Sequence, residues 1–415
     1  MRSELQRERV LLTCPEQVSV LAAVRGLRLV GYDPWVAGQS RGSFAAVSRA
    51  TSGFVQVPRA ARDPGGFARA VFAAASDIGA TVVVPGTERA LLALSCFSYA
   101  RQTSVRLGAP TRAALDLMTS KEALGVLAAC GGFSVPAAMV VDRDAISGWL
   151  GEFPVAVKSL RSELDRSGGF AHGSTQIARS RAEAEQAAFS MPGDRVILQS
   201  FIEGPLVSVA GVAWKGELHA PTEFTATRTW PISGGALAWG ETVALDQTIA
   251  DGIQAIIRKC GFEGLLQVQF IQGAERLYVI DINPRLYASV GLAIAAGHNL
   301  PAIWVDFLAG RQPSIGTSYR TGVRFRAEHN DFRIAATEAA GRQWRKATTT
   351  LRPRTGAVHA IWSIRDPAPC ISVAVRAGQA LAALRGDARG RARRFTSRGQ
   401  PGLWELGAFD SGSLN

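Results

Sequence analysis

Residues 9 to about 108 alternate short apolar runs with amphipathic stretches, and this alternation restricts the fold more than any other feature. Val10-Leu-Leu-Thr13 is short and apolar enough for a buried strand, while Glu16 to Arg25 sets Val18, Leu21, Ala22 and Val24 on one helical face. Val55-Gln-Val57 reads as extended. Phe67, Val71, Phe72, Ala75 and Ile78 recur at helical spacing, Thr81-Val-Val-Val-Pro85 follows as another buried strand, and Leu91, Leu92 and Leu94 lie on the next helix. Strands joined through helices run parallel and are covered on both faces. The first strand-to-helix turn lacks G-x-G-x-x-G, so the unit carries no dinucleotide fingerprint. Such a layout alone leaves function open.

The chain has 415 residues, two to three domains at roughly 150 residues each. A second unit starts near Gly108-Ala-Pro110. Thr119 to Leu124 is expected to open a helix that ends at Gly131-Gly132, where glycine suits a left-handed terminus. A strand at 137–141, a helix from Asp144, a strand at 154–158, a glycine-containing loop over 160–175 and a helix at 183–189 follow. A third unit, 196–310, holds apolar strands at 196–201, 206–214, 265–271 and 277–282. The pattern is less clear from 311 to 415, with a helix near 373–384. The class is therefore α/β followed by α+β, divided at 108, 195 and 310.

The net charge is +12, and lysine occurs only at 121, 158, 215, 259 and 346, so the excess is arginine. Part of it lies in Arg385-Gly-Asp-Ala-Arg-Gly-Arg-Ala-Arg-Arg394. Without a nucleic-acid motif or stacking aromatics beside it, this run reads as a solvated tail, not as a nucleic-acid surface. No apolar run reaches the roughly 18 residues that span a bilayer, so no membrane partner is expected. The apolar run Val10–Thr13 is too short for a secretory signal, and the five scattered cysteines lack CxxC spacing. They read as buried thiols in the cytoplasm.

Leu277-Tyr-Val-Ile-Asp-Ile-Asn-Pro-Arg285 is the sharpest local signal. On a strand, Asp281 and Asn283 point to one face and present oxygen ligands suited to a hard cation such as Mg²⁺ or Mn²⁺. Leu266-Gln-Val-Gln-Phe270 places Gln269 on the neighbouring strand as a third donor. An Asp-x-Asn strand end with ordinary turn chemistry would give the same pattern.

Asp281-Ile-Asn-Pro-Arg285 with Gln269 upstream resembles the metal strands of ATP-grasp enzymes, nearest to the carbamoyl-phosphate-synthetase-like branch with its carboxylate–amine ligases. Lys121, after Leu117-Met-Thr-Ser120, and Lys158, ending Phe153-Pro-Val-Ala-Val157, resemble the two nucleotide lysines. Asp165-Arg-Ser-Gly-Gly-Phe-Ala-His-Gly173, with Gly168 and Gly169, resembles the loop over the phosphates. Val196-Ile-Leu-Gln-Ser-Phe-Ile-Glu-Gly204 resembles the hinge between the lobes: Gln199, Ser200, Phe201 and Ile202 would meet adenine, the backbone of Ser200 and Ile202 reading its edge. The resemblance covers about residues 9–310. It implies an ATP-grasp fold with an N-terminal Rossmann-like pre-ATP-grasp domain (1–108), a small lobe (109–195), a large lobe (196–310) and a C-terminal appendage (311–415).

It implies ATP and Mg²⁺ (or Mn²⁺) as cofactors and a small-molecule carboxylate and nucleophile as partners. Acid activation would run through an acyl phosphate, with Arg285 and Lys158 as the catalytic cations. By position, Glu223 to Gly235 would face the acceptor, with Arg228 gripping a carboxylate and Gly234 and Gly235 admitting it. His172 reads as a solvent-exposed loop residue, His298 and Asn299 as turn caps, and Arg324–Arg326 with Glu328–Asp331 as a solvated charged face. The pattern departs at Leu206, where a ribose-binding glutamate is usual. An ATP-binding sensor or scaffold without turnover is the alternative that this departure motivates. The appendage has three open roles: closing the pocket, homodimerisation or binding a partner.

Overall fold

The N-terminal alternation folds as five parallel strands in the order β3-β2-β1-β4-β5. These are β1 (Arg9–Thr13), β2 (Asp33–Gly38), β3 (Gly53–Gln56), β4 (Ala80–Val84) and β5 (Arg106–Leu107). α1 (Val18–Leu29) lies between β1 and β2, α2 (Pro64–Asp77) between β3 and β4, and α3 (Glu88–Cys96) after β4, with turns alone between β2 and β3. Strand residues Leu11, Ala37 and Val83 pack with Phe67, Val71 and Leu94 of the helices into one core. The computed structural model describes residues 7–96, 104–149, 151–159, 175–191, 193–231 and 235–373. The chain divides into two compact units, Met1–Cys370 and Ile371–Asn415, and every element described here belongs to the first. All but the first residue of the helix expected near 373–384, and the loop residues Gly168, Gly169 and His172, lie outside the described residues.

The helix expected to open at 119–124 is two helices, α4 (Arg112–Thr119) and α5 (Leu124–Cys130). Ser120 turns extended, and its Oγ accepts from the Ala123 N–H at 3.2 Å. Lys121 therefore sits on a turn and not in a first helical turn. Gly132 takes the left-handed conformation (φ 74°) after α5, as glycine permits.

A four-stranded antiparallel sheet follows, ordered β6-β9-β7-β8. It comprises β6 (Ala138–Asp142), β7 (Val155–Ser159), β8 (Thr175–Ala178) and β9 (Arg195–Ser200), covered by α6 (Arg181–Phe189) and a 3-10 turn at Arg143–Gly148. The sequence pattern groups β9 with the strands after 196, but its hydrogen bonds join it to β6 and β7. Apolar content alone does not say which sheet a strand enters.

The third sheet has seven strands in the order β14-β13-β10-β11-β12-β15-β16. Its members are β10 (Leu206–Trp214), β11 (Glu217–Trp230), β12 (Ala236–Thr242), β13 (Gly264–Gln272), β14 (Leu277–Asn283), β15 (Arg324–Arg326) and β16 (Ala357–His359). Helix α7 (Gln247–Cys260) packs on one face. α8 (Val290–Ala296) and α9 (Leu300–Leu308) follow β14, and α10 (Glu328–Ala340) and α11 (Trp344–Leu351) lie between β15 and β16. The segment after 310 thus adds two strands to the edge of the large sheet. All five cysteines are free thiols, but Cys96 and Cys130 are exposed, against the expectation of burial. No helix among the described residues is long and apolar enough to cross a membrane.

Candidate active site

Strand alternation builds the site. Gln267 stands opposite Asn283 and Gln269 opposite Asp281, so four oxygen-bearing side chains share one face of β13 and β14. The same face continues through Ser208, opposite Gln269, to Phe224, opposite Ser208. The other face carries Val207, Val209, Leu266, Val268, Phe270 and Ile282, which pack with Ile253, Ile256 and Ile257 of α7 and with α4 and α5. This core fixes the register, because a one-residue slip would exchange the apolar set for the polar one.

Ile280 is an extra residue that bulges β14 between Asp281 and Val279. Lys158 Nζ, at the end of β7, reaches the Ile280 carbonyl at 3.5 Å. Lys121 Nζ forms an ion pair with Asp281 Oδ1. Arg285 donates from Nη2 to Asn283 Oδ1 at 2.9 Å and from Nη1 to the Leu286 carbonyl at 3.0 Å. Its Nε lies 3.8 Å from Glu88 Oε2, on the first turn of α3. Asn283 Nδ2 donates to Gln267 Oε1 at 3.3 Å.

These groups tune one another. Burial disfavours the Lys158 ammonium and Lys121 adds repulsion; against the attraction of Asp281 they pull its pKa down to about 8. Burial also works against Lys121, but Asp281 and Glu88 outweigh it and hold the ammonium above its ordinary value. Burial would raise the Asp281 carboxyl, yet Lys121, Lys158 and Arg285 together keep it below the usual carboxylate range. The free site is thus a fixed negative charge framed by three cations.

Among the described residues no three His, Cys, Asp or Glu side chains gather as a metal cage. A cation would rest on the Asp281 carboxylate with the amide oxygens of Asn283 and Gln269. One carboxylate with neutral oxygens suits Mg²⁺ when substrate phosphates complete the shell. Asn283 Oδ1, though engaged by Arg285, keeps a second lone pair.

The segment expected as the hinge is more committed than its sequence suggests. The Ser200 amide donates to the Ala137 carbonyl at 2.8 Å, and the Phe201 amide to the Pro154 carbonyl at 3.3 Å. The Ser200 N–H is therefore already used, and its carbonyl is the group to consider for an adenine edge. Gln199 is buried, Ile202 half-buried and Phe201 exposed. Gly204 has φ 157°, and a Cβ there would meet the Gln272 carbonyl oxygen at 2.0 Å, so this position requires glycine. Leu206 lies opposite Ile271 and Ala226, on the same face as Ser208 and Gln269.

Arg228 is not brought to the lysines. Gly240 stands opposite Ala226 on the polar face, whereas Arg228, beyond a register shift, stands opposite Trp239 on the reverse face. There Asp331 of α10 accepts from Arg228 Nη2 and, at 2.6 Å, from Arg326 Nε. Arg326 also donates to the Arg352 and Thr350 carbonyls at 3.1 and 3.2 Å. Asp331 is 1% exposed, Asn330 2% and Arg326 7%, so these members of the stretch expected as a solvated face form a buried ionic cluster, whereas Arg324 is exposed and pairs with Glu241 at the surface. Hydropathy misplaces it because its charges cancel in space, across strands far apart in sequence. Arg354 stacks over Trp239, which is buried. Gly234 lies outside the described residues. A Cβ on Gly235 would meet the Trp230 carbonyl oxygen at 2.1 Å, so its close approach is to its own hairpin. His298 Nδ1 bonds Thr222 Oγ1 at 2.9 Å, and Asn299 Nδ2 donates to the Gly26 carbonyl at 2.8 Å.

Two site residues escape the sequence reading. Gln267 shares the period-2 signal that picks out Gln269, and the same alternation finds it. Glu88 arrives on α3, a helix of the N-terminal α/β unit, and no local signal joins it to Arg285.

Residues 193–330 match a family described as ATP-grasp in the biosynthetic pathway with Ter operon. No curated protein matches the sequence. Among solved structures, a biotin carboxylase–β-γ-ATP complex from Campylobacter jejuni aligns with a TM-score of 0.59 at 15% identity, over 76% of this chain and 74% of that one. An L-amino acid ligase from Bacillus licheniformis aligns at 0.56 and 14%, over 73% and 74% of the two chains. An N5-carboxyaminoimidazole synthetase from Staphylococcus aureus complexed with ADP aligns at 0.56 and 14%, over 76% and 80%. At such identities the likeness is one of fold.

Proposed function

We propose that this chain, whose fold is ATP-grasp, uses ATP to phosphorylate a small-molecule carboxylate and passes the acyl group to an amine. One observation carries the reading: Lys121, Lys158, Asp281 and Arg285 converge on one sheet face from three separate segments. Phosphoryl transfer asks for positioning and charge neutralisation more than for covalent chemistry by the protein, and such a set supplies both. Solved structures of the same fold include an L-amino acid ligase and enzymes with bound nucleotide, which supports the class of reaction.

Lys121 and Lys158 would hold the phosphates. Asp281, Asn283 and Gln269 would hold Mg²⁺ or Mn²⁺, which when bound neutralises phosphate charge. Arg285 would face the transferring group, its fork held by Asn283 and the Leu286 carbonyl and its Nε side facing Glu88. A carboxylate oxygen attacks the γ-phosphorus, the bond to ADP breaks, and an acyl phosphate forms. The amine then attacks the acyl carbon, phosphate leaves, and the amine proton passes to solvent or phosphate. Trapping with hydroxylamine across a panel of small acids tests this: acid-dependent hydroxamate and ADP, lost in Lys158→Ala, are expected. ADP release that no acid stimulates would refute the ligase reading.

A second reading, nucleotide binding without turnover, is favoured by Leu206. It occupies the metal-bearing face where the resemblance expects a ribose-binding carboxylate. The same assay separates the two.

A further inference from the structure

We infer that in the free protein Lys121 occupies the cation position on Asp281, and that nucleotide phosphates open this carboxylate to the metal by drawing Lys121 away. The inference rests on the Mg·ATP reading of the site. Lys121 Nζ engages Asp281 Oδ1, an oxygen a metal would need, and both side chains are about one-third exposed, within reach of an entering ligand. Lys121 stands on the turn between α4 and α5, outside either helix. Met118 and Leu124 anchor those helices in the core beside α7, so the lysine stem can swing while its supports stay fixed.

The charge balance gives the direction. Lys121, Lys158 and Arg285 outnumber Asp281 and Glu88, so a bare divalent cation meets a site that is already over-neutralised. A polyphosphate reverses that sign and offers Lys121 a better partner. Lys121 thereby makes metal binding conditional on nucleotide. If the pair were only structural, removing the lysine would cost stability and create no metal site.

The test is Mn²⁺ uptake by the full chain, read by the paramagnetic resonance signal of free Mn²⁺, with and without a non-hydrolysable ATP analogue. Wild-type protein and Lys121→Arg should leave Mn²⁺ free until the analogue is added. Lys121→Met and Lys121→Gln should take up Mn²⁺ alone, at least tenfold more tightly than wild type, and the further change Asp281→Asn should abolish this. Thermal melts identify any variant that has not folded. Wild type binding Mn²⁺ alone as tightly as Lys121→Met would overturn the inference, as would Lys121→Met and Lys121→Gln both folding yet leaving Mn²⁺ free. Wild type that ignores Mn²⁺ even with the analogue would instead remove the nucleotide reading, while the Lys121→Met comparison still decides who holds Asp281.

Discussion

Asp331→Asn removes the carboxylate that two arginines share while keeping its shape. Asp331 is 1% exposed, and the Arg326 side chain 8%, so their ion pair is dry. Removing one partner of such a pair costs about 3–5 kcal/mol, because the other charge stays buried without compensation. Arg326 keeps the Thr350 and Arg352 carbonyls, which places its share at the lower end. Arg228 is 22% exposed, and solvent screens its loss to less than about 1 kcal/mol. We expect a loss of about 3 kcal/mol, a large part of the 5–15 kcal/mol of typical proteins. Urea unfolding followed by tryptophan fluorescence should show a lower midpoint at unchanged slope. A loss below about 1 kcal/mol would refute the reasoning and return this stretch to the solvated face that hydropathy suggests.

Asp281→Asn should abolish ATP-dependent product formation and leave the melting curve folded-like; unchanged ADP release would remove Asp281 from the metal position. Leu206→Glu should tighten ATP binding about tenfold, from one charge-assisted hydrogen bond of about 1.5–3 kcal/mol less the cost of burial; unchanged or weaker binding by calorimetry would place the ribose elsewhere. Burial would raise the Asp366 carboxyl, but Ser48 Oγ, the Arg49 N–H and Arg25 hold it below its ordinary value. Its contribution is therefore complete above the unfolded carboxyl pKa of about 3.9 and fades as pH falls through the lower folded value. Wild type should exceed Asp366→Asn in stability at pH 6, and the gap should close in acid; a gap independent of pH would contradict the assignment.

The parts legible in sequence are those where one face of an element is core. Val10–Thr13, Thr81–Val84 and Leu206–Trp214 declare themselves through burial, and alternation places Asp281 and Asn283 on one face before any coordinates, while the β13–β14 register brings Gln269 onto it. What stays illegible depends on neighbours far along the chain. β9 joins β6 and β7 through backbone pairing that its apolar run does not specify. The register shift that turns Arg228 toward Trp239 has no sequence signature, and its partner Asp331 looks like a surface charge until the sheet brings them together. Glu88 meets Arg285 only through tertiary packing.

The most direct test of a nucleotide site on this sheet face is thermal unfolding of wild-type protein and Lys158→Ala with ATP, in the presence and absence of Mg²⁺. Ligand at a hundredfold excess over its dissociation constant stabilises the folded state by about 2.7 kcal/mol, enough for a visible shift. The account predicts stabilisation that needs both Mg²⁺ and Lys158. No shift at millimolar ATP, or an equal shift in Lys158→Ala, would contradict it.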